Sequence, residues 1–184
     1  LITLSGIALF ASGQAPIHYE RKKIDKIHES ATSYIYTKNY VHTWEPFPQI
    51  EGTYVKGGDH VTIQPLFGQV EVIFFIASWC IPCQELIDPF LKLEAKYSQG
   101  NVRFTYLFSH DIKNDVIGFL NAYRIPNGII ASQPVLKEFH NPPLPTVYMS
   151  DRKGWLINRF ERFNVENIAE LEKKLRYLTV FWKL

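Results

Sequence analysis

The sequence predicts an α/β fold in which parallel strands alternate with helices and an antiparallel strand pair follows. Two nearly unbroken apolar runs, residues 71–77 and Val102–Phe108, are typical of strands that are buried on both faces of a sheet. Residues 151–154 (Asp-Arg-Lys-Gly) form a turn signal between two further apolar segments, which is typical of a hairpin. This order of elements predicts a mixed central sheet that is flanked by helices.

An N-terminal hairpin extension is predicted before the first of these runs. Residues 50–55 and His60–Ile63 lie on either side of the turn-forming stretch 56–59 (Lys-Gly-Gly-Asp). The proline-containing stretch 45–48 precedes them and marks the start of the compact domain, to which we assign residues 46–184.

A first helix is predicted directly after the run 71–77. Apolar residues, among them Leu86, Ile87 and Phe90, recur at helical spacing. Pro89 lies inside this pattern and is expected to kink the helix, because proline lacks a backbone N–H.

A second helix is predicted after the strand Val102–Phe108. Asp111 is expected to cap its N-terminus, and residues 125–128 (Ile-Pro-Asn-Gly) are expected to end it. The predicted apolar face of this helix consists of Ile112, Val116, Phe119, Leu120 and Tyr123.

The C-terminal part is predicted to add the antiparallel strands and a closing helix. Residues 146–149 and 155–160 are the two strands joined by the turn at 151–154. The closing helix is indicated by apolar residues at helical spacing, which are Ile168, Leu171, Leu175 and Leu178.

Composition limits the classes of function. The chain has 184 residues, of which 46% are hydrophobic, which is enough for a packed core. Its formal net charge is only +2, so no nucleic-acid partner is expected.

The first 15 residues carry no charge and are mostly apolar, so they are expected to be a signal peptide or the remnant of a membrane anchor. Residues 16–45 are polar and basic and are interpreted as a linker or N-terminal extension. We therefore expect a periplasmic or otherwise exported protein, with membrane association through the N-terminus as an alternative. Export would place the cysteines in an oxidising compartment.

The two cysteines of the chain stand three residues apart in the sequence Trp79-Cys80-Ile81-Pro82-Cys83. A strand that delivers this pair to the start of a helix indicates a thiol–disulfide redox site. Cys80 is the predicted nucleophile, because the N-terminus of a helix stabilises a thiolate and lowers the pKa of such thiols to about 3.5–7.5. Cys83 is the predicted, more buried, resolving thiol, and the pair can bond internally or to another molecule.

Three segments resemble the thioredoxin superfamily, and within it the exported TlpA/ResA/CcmG-like thiol–disulfide oxidoreductases. Residues 74–83 resemble the strand and active-site turn of this family, and residues 144–149 resemble its cis-proline loop and the following strand. Residues 151–161 resemble the hairpin after that loop. The resemblance extends over about residues 47–178 and implies a thioredoxin-like fold with a central insertion, an extra strand and helix, near residues 129–140.

The resemblance also implies functional residues beyond the cysteines. Pro145 is implied to be the cis-proline that stands against the sulfurs, and the backbone of Leu144 to pair with an extended substrate. Trp79, Ile81 and Pro82 are expected to contact the substrate beside Cys80. No cofactor and no metal site are expected.

The chain departs from the family pattern at two acidic positions. Phe74 stands where thioredoxin has a buried aspartate, and Leu86 stands where TlpA-like proteins have a glutamate. Glu85 is a candidate to replace them as the proton acceptor, although the favoured interpretation is a solvated carboxylate on the helix surface.

The favoured function is reduction of disulfides in cysteine-containing partner proteins, for example in cytochrome c or metal-site maturation, with electrons from a membrane or soluble thiol donor. A disulfide oxidase or isomerase of the same fold is the first alternative. A copper-binding assembly chaperone is the second, because two thiolates suit Cu(I) and His110 or His140 would supply a third ligand.

Overall fold

The computed structural model of the protein describes residues 45–180. The expected signal or anchor segment, residues 1–15, lies outside this range, as does the expected linker, residues 16–45, apart from Glu45.

Strands and helices alternate through most of the described range. The strands are β1 (Ile50–Tyr54), β2 (His60–Ile63), β3 (Val70–Ile76), β4 (Val102–Phe108), β5 (Ile129–Ala131), β6 (Thr146–Ser150) and β7 (Leu156–Glu161). The helices are α1 (Ile81–Tyr97), α2 (Lys113–Ala122), α3 (Gln133–Glu138) and α4 (Val165–Val180).

The strands form one mixed sheet in the order β2-β1-β5-β4-β3-β6-β7. In the interior of the sheet, β3 pairs in parallel with β4 and antiparallel with β6. The predicted hairpin extension is confirmed as the antiparallel pair β1–β2, and the central insertion is confirmed as β5 with α3. The sequence-predicted α/β class and mixed sheet are therefore confirmed.

Strand β3 is buried on both faces, which explains its unbroken apolar sequence. Val72 and Phe74 belong to the core that contains residues of α1, α2 and α4, whereas Ile73 and Phe75 belong to a second core with residues of α3. Side chains alternate between the two faces of a strand, so each face requires its own apolar set. Burial of each such side chain contributes roughly 1.5–3 kcal/mol.

Helix α1 runs from Ile81 to Tyr97 and passes through Pro89 without ending. Pro89 therefore does not break the helix, and the kink expected there stays a prediction. Between residues 45 and 180, no helix combines the length and the apolarity that crossing a bilayer requires.

The predicted start of α2 was wrong in two respects. The residue that precedes the helix is Ile112, and no side chain caps it, whereas the Asp111 carboxylate is bonded to Ser78. The Ile112 side chain is exposed rather than part of the buried face. Because the backbone of Ile112 is extended (φ −97°, ψ 134°) and the helix begins only at Lys113, the Ile112 side chain does not share the helix face that brings Val116 into the core.

Candidate redox site

The two cysteines lie where β3 gives way to α1. Cys80 is the residue before the helix, with φ −83° and ψ 100°, and Cys83 lies in the first turn. The Cys80 carbonyl accepts hydrogen bonds from the N–H groups of Cys83 (3.0 Å) and Gln84 (3.2 Å). Pro82 fits in this first turn because the N–H that it lacks would have no partner within the helix.

Cys80 and Cys83 are bonded to each other in this structure, with an S–S distance of 2.01 Å and a Cα–Cα distance of 5.2 Å. The latter lies in the range usual for disulfides. Of the two pairings that the sequence left open, the structure contains the internal one, which is the oxidised state of the pair.

The two sulfur-bearing residues differ in access and in bonding. Cys80 is 5% exposed, whereas Cys83 is fully buried. The N–H of Cys83 donates a hydrogen bond to Sγ of Cys80 over 3.3 Å. The first turn of α1 contains no acidic residue, so no carboxylate there opposes the positive end of the helix dipole. Any negative charge that forms at the site is therefore favoured on Cys80.

The residues predicted to contact a substrate beside Cys80 are at the surface. Trp79 is 62% exposed and Ile81 is 68% exposed, and Pro82 is exposed as well. The Trp79 indole N–H donates a long hydrogen bond, 3.4 Å, to the carbonyl of His110. The two residues adjacent to Cys80 in the chain therefore present large apolar side chains to solvent.

The loop before β6 lies at the same end of the sheet as the cysteines. The Leu144–Pro145 peptide bond is cis. Thr146 is opposite Phe75 in the β3–β6 pairing, so Pro145 lies at the end of β3 that leads to Cys80. The register thus brings the two predicted family segments to one edge of the sheet.

This loop is fixed from inside the protein by two hydrogen bonds. The Thr146 hydroxyl donates to the carbonyl of Pro143 (2.5 Å), and the Phe163 N–H donates to the carbonyl of Pro145 (2.8 Å). Leu144 is half-buried, and within residues 45–180 its backbone N–H and carbonyl have no hydrogen-bond partner. These two groups remain available to an added strand.

The positions of the family's acidic residues are part of the apolar core. Phe74 is fully buried and stacks on Phe90 with ring centroids 4.3 Å apart, and Leu86 is buried as well. Both side chains belong to the same core cluster as Cys83. Glu85 is exposed on α1. The surroundings of Cys83 are consequently apolar, which disfavours a charge on its sulfur.

Three polar residues at the site were not assigned to it from the sequence. Ser78 lies in the turn before Cys80, and its N–H and hydroxyl both donate to the Asp111 carboxylate, over 2.5 and 2.7 Å. The Gln84 side-chain amide donates to the carbonyl of Ser78 (2.9 Å). One feature of the sequence could have placed Asp111 at the site: it lies just after β4, and neighbouring parallel strands end at the same edge of a sheet.

A buried ion pair lies at the opposite end of β3. Glu71 is fully buried and accepts a hydrogen bond from Nε of Arg103 over 2.8 Å, with a second nitrogen of that guanidinium 2.7 Å from its other oxygen. Burial raises the pKa of Glu71 to about 7, and the neighbouring Arg103 lowers it in part. The charge lies at the start of β3, whereas the cysteines follow its end.

The described part of the chain contains no group of side chains that would support the copper-binding alternative. Within residues 45–180, no group of three or more histidine, cysteine, aspartate or glutamate side chains is placed to hold a metal ion. His110 and His140 are both exposed.

Comparison with known proteins identifies the architecture. No family model matches the chain, and no curated protein matches its sequence. Among solved structures, the chain is similar to a thioredoxin-family thiol:disulfide interchange protein from Chlorobium tepidum (17% identity, 74% of this chain, 97% of that chain, TM-score 0.63).

Two further solved structures agree with this likeness. One is a thiol:disulfide interchange protein from a Bacteroides species (15% identity, 77% of this chain, 92% of that chain, TM-score 0.63). The other is a secreted disulfide oxidoreductase from Mycobacterium tuberculosis that is homologous to E. coli DsbE (16% identity, 71% of this chain, 96% of that chain, TM-score 0.59). The described residues therefore have the thioredoxin-like fold that the sequence predicted.

Proposed function

We propose that this protein is a thiol–disulfide oxidoreductase that exchanges the Cys80–Cys83 pair with cysteines of partner proteins. The observation that carries the proposal is the asymmetric pair itself. A slightly exposed Cys80 stands at the N-terminus of α1 and is bonded to a fully buried Cys83. The names of the structural neighbours, which are interchange proteins and oxidoreductases, support the same chemistry.

The reductive reaction begins with the dithiol form. The Cys80 thiolate attacks one sulfur of the partner's disulfide, whose S–S bond breaks while a mixed disulfide to Cys80 forms. The partner's other sulfur leaves as a thiolate and takes up a proton from water. The Cys83 N–H, 3.3 Å from Sγ of Cys80, stabilises the attacking thiolate.

The second step releases the partner. Cys83 gives its proton to water, and its sulfur attacks Sγ of Cys80, which forms the Cys80–Cys83 bond and expels the partner's remaining sulfur as a thiolate. That thiolate takes up a proton from water. Two electrons have then passed from the protein to the partner, whose disulfide is now a dithiol. A dithiol donor must return two electrons to the protein for the next turnover.

Partner recognition is assigned to the surface around Cys80 and to the loop before β6. Trp79 and Ile81 provide exposed apolar area, and the unpaired backbone groups of Leu144 suit the backbone of an extended peptide. Pro145 belongs to the same loop, which the strand register places at the end of β3 that leads to Cys80. We assign these contacts to an extended, cysteine-containing segment of the partner protein.

We assign the protein to the reductive direction and to an exported location. The location is supported by the apolar residues 1–15 and by the secreted Mycobacterium neighbour. A reductant in an oxidising compartment requires a disulfide that is stable relative to its partner's.

The deciding experiment measures the reduction potential of the Cys80–Cys83 pair from its equilibrium with glutathione. A second assay measures how strongly the protein catalyses the reduction of insulin disulfides by dithiothreitol. A reductase is expected near thioredoxin's value of about −270 mV. A value near about −120 mV would assign an oxidase or isomerase instead. If the wild-type protein catalyses no disulfide exchange at any ratio of reduced to oxidised glutathione, the proposed oxidoreductase function is rejected.

A further inference from the structure

The turn that carries Cys80 is tied to the neighbouring loop by one carboxylate. Oδ2 of Asp111 accepts the Ser78 N–H over 2.5 Å, and Oδ1 accepts the Ser78 hydroxyl over 2.7 Å. Ser78 and Asp111 are both half-buried. Hydrogen bonds to an ionised acceptor are stronger than neutral ones, so this pair constrains the turn two residues before the sulfur.

The topology explains why these two loops meet. Strands β3 and β4 are parallel and end side by side, with Ile76 opposite Phe108. The N–H of Ser109 donates to the carbonyl of Ile76 over 2.9 Å and extends the pairing by one step. The residues that follow the two strands are consequently neighbours.

The same serine is also tied to the helix that bears Cys83. The Gln84 side-chain amide donates to the Ser78 carbonyl over 2.9 Å. The N–H, hydroxyl and carbonyl of Ser78 are thus all bonded, two to Asp111 and one to Gln84. Ser78 therefore links the turn between β3 and α1 to the loop after β4, through Asp111, and to helix α1, through Gln84. Cys80 lies between Ser78 and Gln84 in the chain.

We propose that Asp111 is a positioning residue for Cys80, which acts through Ser78 to hold the sulfur at the N-terminus of α1. This inference rests on the proposed function for its biological meaning. The effect on the sulfur can be measured independently of that function. The fixed turn aligns Sγ of Cys80 with the Cys83 N–H, and a hydrogen bond between these groups stabilises the thiolate. Release of the turn should therefore reduce the reactivity of Cys80.

The chain offers substitutions that separate hydrogen bonding from charge. Asp111→Ala removes the carboxylate and both bonds to Ser78. Asp111→Asn removes the charge, yet its side-chain oxygen can still accept the Ser78 N–H while its amide donates to the hydroxyl oxygen. Ser78→Ala removes one bond and leaves the charge. Asp115→Asn is the matched control, since Asp115 is an exposed carboxylate that lines the same groove as Ser78.

The experiment compares these variants in two assays. The first is the rate of iodoacetamide alkylation of Cys80 in the reduced protein from pH 5 to pH 9, and the second is the rate constant for insulin disulfide reduction. We expect Asp111→Ala to slow both rates at pH 7 by about tenfold and Ser78→Ala by about threefold. Asp111→Asn should stay within about threefold of the wild type, and Asp115→Asn within twofold.

Two results would overturn the proposal. One is a reactivity of Cys80 in both Asp111→Ala and Ser78→Ala that stays within twofold of the wild type. The other is an equal loss in Asp115→Asn, which would assign the effect to charge alone. If Asp111→Ala does not fold, Ser78→Ala decides, and a Cys80 reactivity within twofold of the wild type in that variant then overturns the proposal. Alkylation needs no catalytic activity, so a wild type that fails to reduce insulin would reject the proposed function while the role of Asp111 is still measured.

Discussion

The amide nitrogen of Cys83 lies 3.3 Å from Sγ of Cys80 and donates a hydrogen bond to it. The donor and the acceptor are thus the two halves of one redox pair, and the same first turn of α1 creates both the bond and the proximity of the sulfurs. Since a hydrogen bond to an ionised sulfur favours the charged form, this geometry supports our proposal that the thiolate forms on Cys80 while Cys83, in its apolar site, stays protonated.

This assignment predicts opposite outcomes for two serine substitutions. Cys80→Ser should abolish reduction of insulin disulfides, because the proposed nucleophile is removed and the remaining thiol, Cys83, is fully buried. Cys83→Ser should retain attack by Cys80 and accumulate mixed disulfides, because the resolving thiol is missing. Mass spectrometry after acid quenching measures the adducts. Wild-type turnover in Cys80→Ser, or no adduct in Cys83→Ser, would contradict the assignment.

The buried Glu71 predicts a pH dependence of stability. Burial raises its pKa to about 7, with partial opposition from Arg103, whereas the ordinary value is 4.5. The folded state then binds the proton more tightly than the unfolded state, so the free energy of unfolding should fall as pH rises from 4.5 to about 7. The decrease is at most about 3–4 kcal/mol, at roughly 1.4 kcal/mol per unit of pKa shift.

Urea unfolding of the oxidised protein across this pH range measures the effect. Glu71→Gln should flatten the decrease, while Glu138→Gln, at an exposed position on α3, should leave it unchanged. An equal slope in Glu71→Gln and the wild type would show that another group is responsible.

The core beneath the site predicts a large cost for loss of one ring. Phe74 is fully buried and stacked on Phe90, so Phe74→Ala should lower the free energy of unfolding by about 3–5 kcal/mol. Phe67, which is 89% exposed, is the matched control, and Phe67→Ala should change stability by less than about 0.5 kcal/mol. Chemical denaturation compares the two, and similar costs would refute the packing argument.

Two glycines predict opposite effects of the same substitution. A Cβ on Gly52 would lie 2.5 Å from the carbonyl oxygen of Ile130 on the adjacent strand, so Gly52→Ala should cost about 1–3 kcal/mol. A Cβ on Gly118 in α2 would meet nothing within 4 Å, so Gly118→Ala should stabilise the protein by roughly 0.5–1 kcal/mol. Thermal unfolding of the two variants should shift in opposite directions, and shifts of the same sign would contradict this.

The main elements could be predicted from the sequence because their patterns are local. The run at β3 is apolar on both faces, and the Cys-x-x-Cys spacing fixes where α1 begins. The predicted hairpin of β6 and β7 follows from the turn residues between them. Each of these signals is contained within about ten neighbouring residues.

The contacts that complete the site could not be predicted in this way. Asp111 has the sequence position of a helix cap, but its carboxylate bonds to Ser78, which is 33 residues away in the chain. Glu71 was included in an apolar run, and only the parallel register places Arg103 opposite it. Both partnerships are tertiary, and they depend on which strands become neighbours.

The interior place of β3 in the sheet has a consequence for amide hydrogen exchange. Its backbone is paired with β4 on one side and β6 on the other, and all of its residues are buried. Amides in such a strand exchange with solvent only when the whole domain opens. Deuterium uptake along β3 should therefore be the same in the oxidised and reduced protein after correction for global stability, whereas uptake at Ser78 should report the redox state of the cysteines beside it.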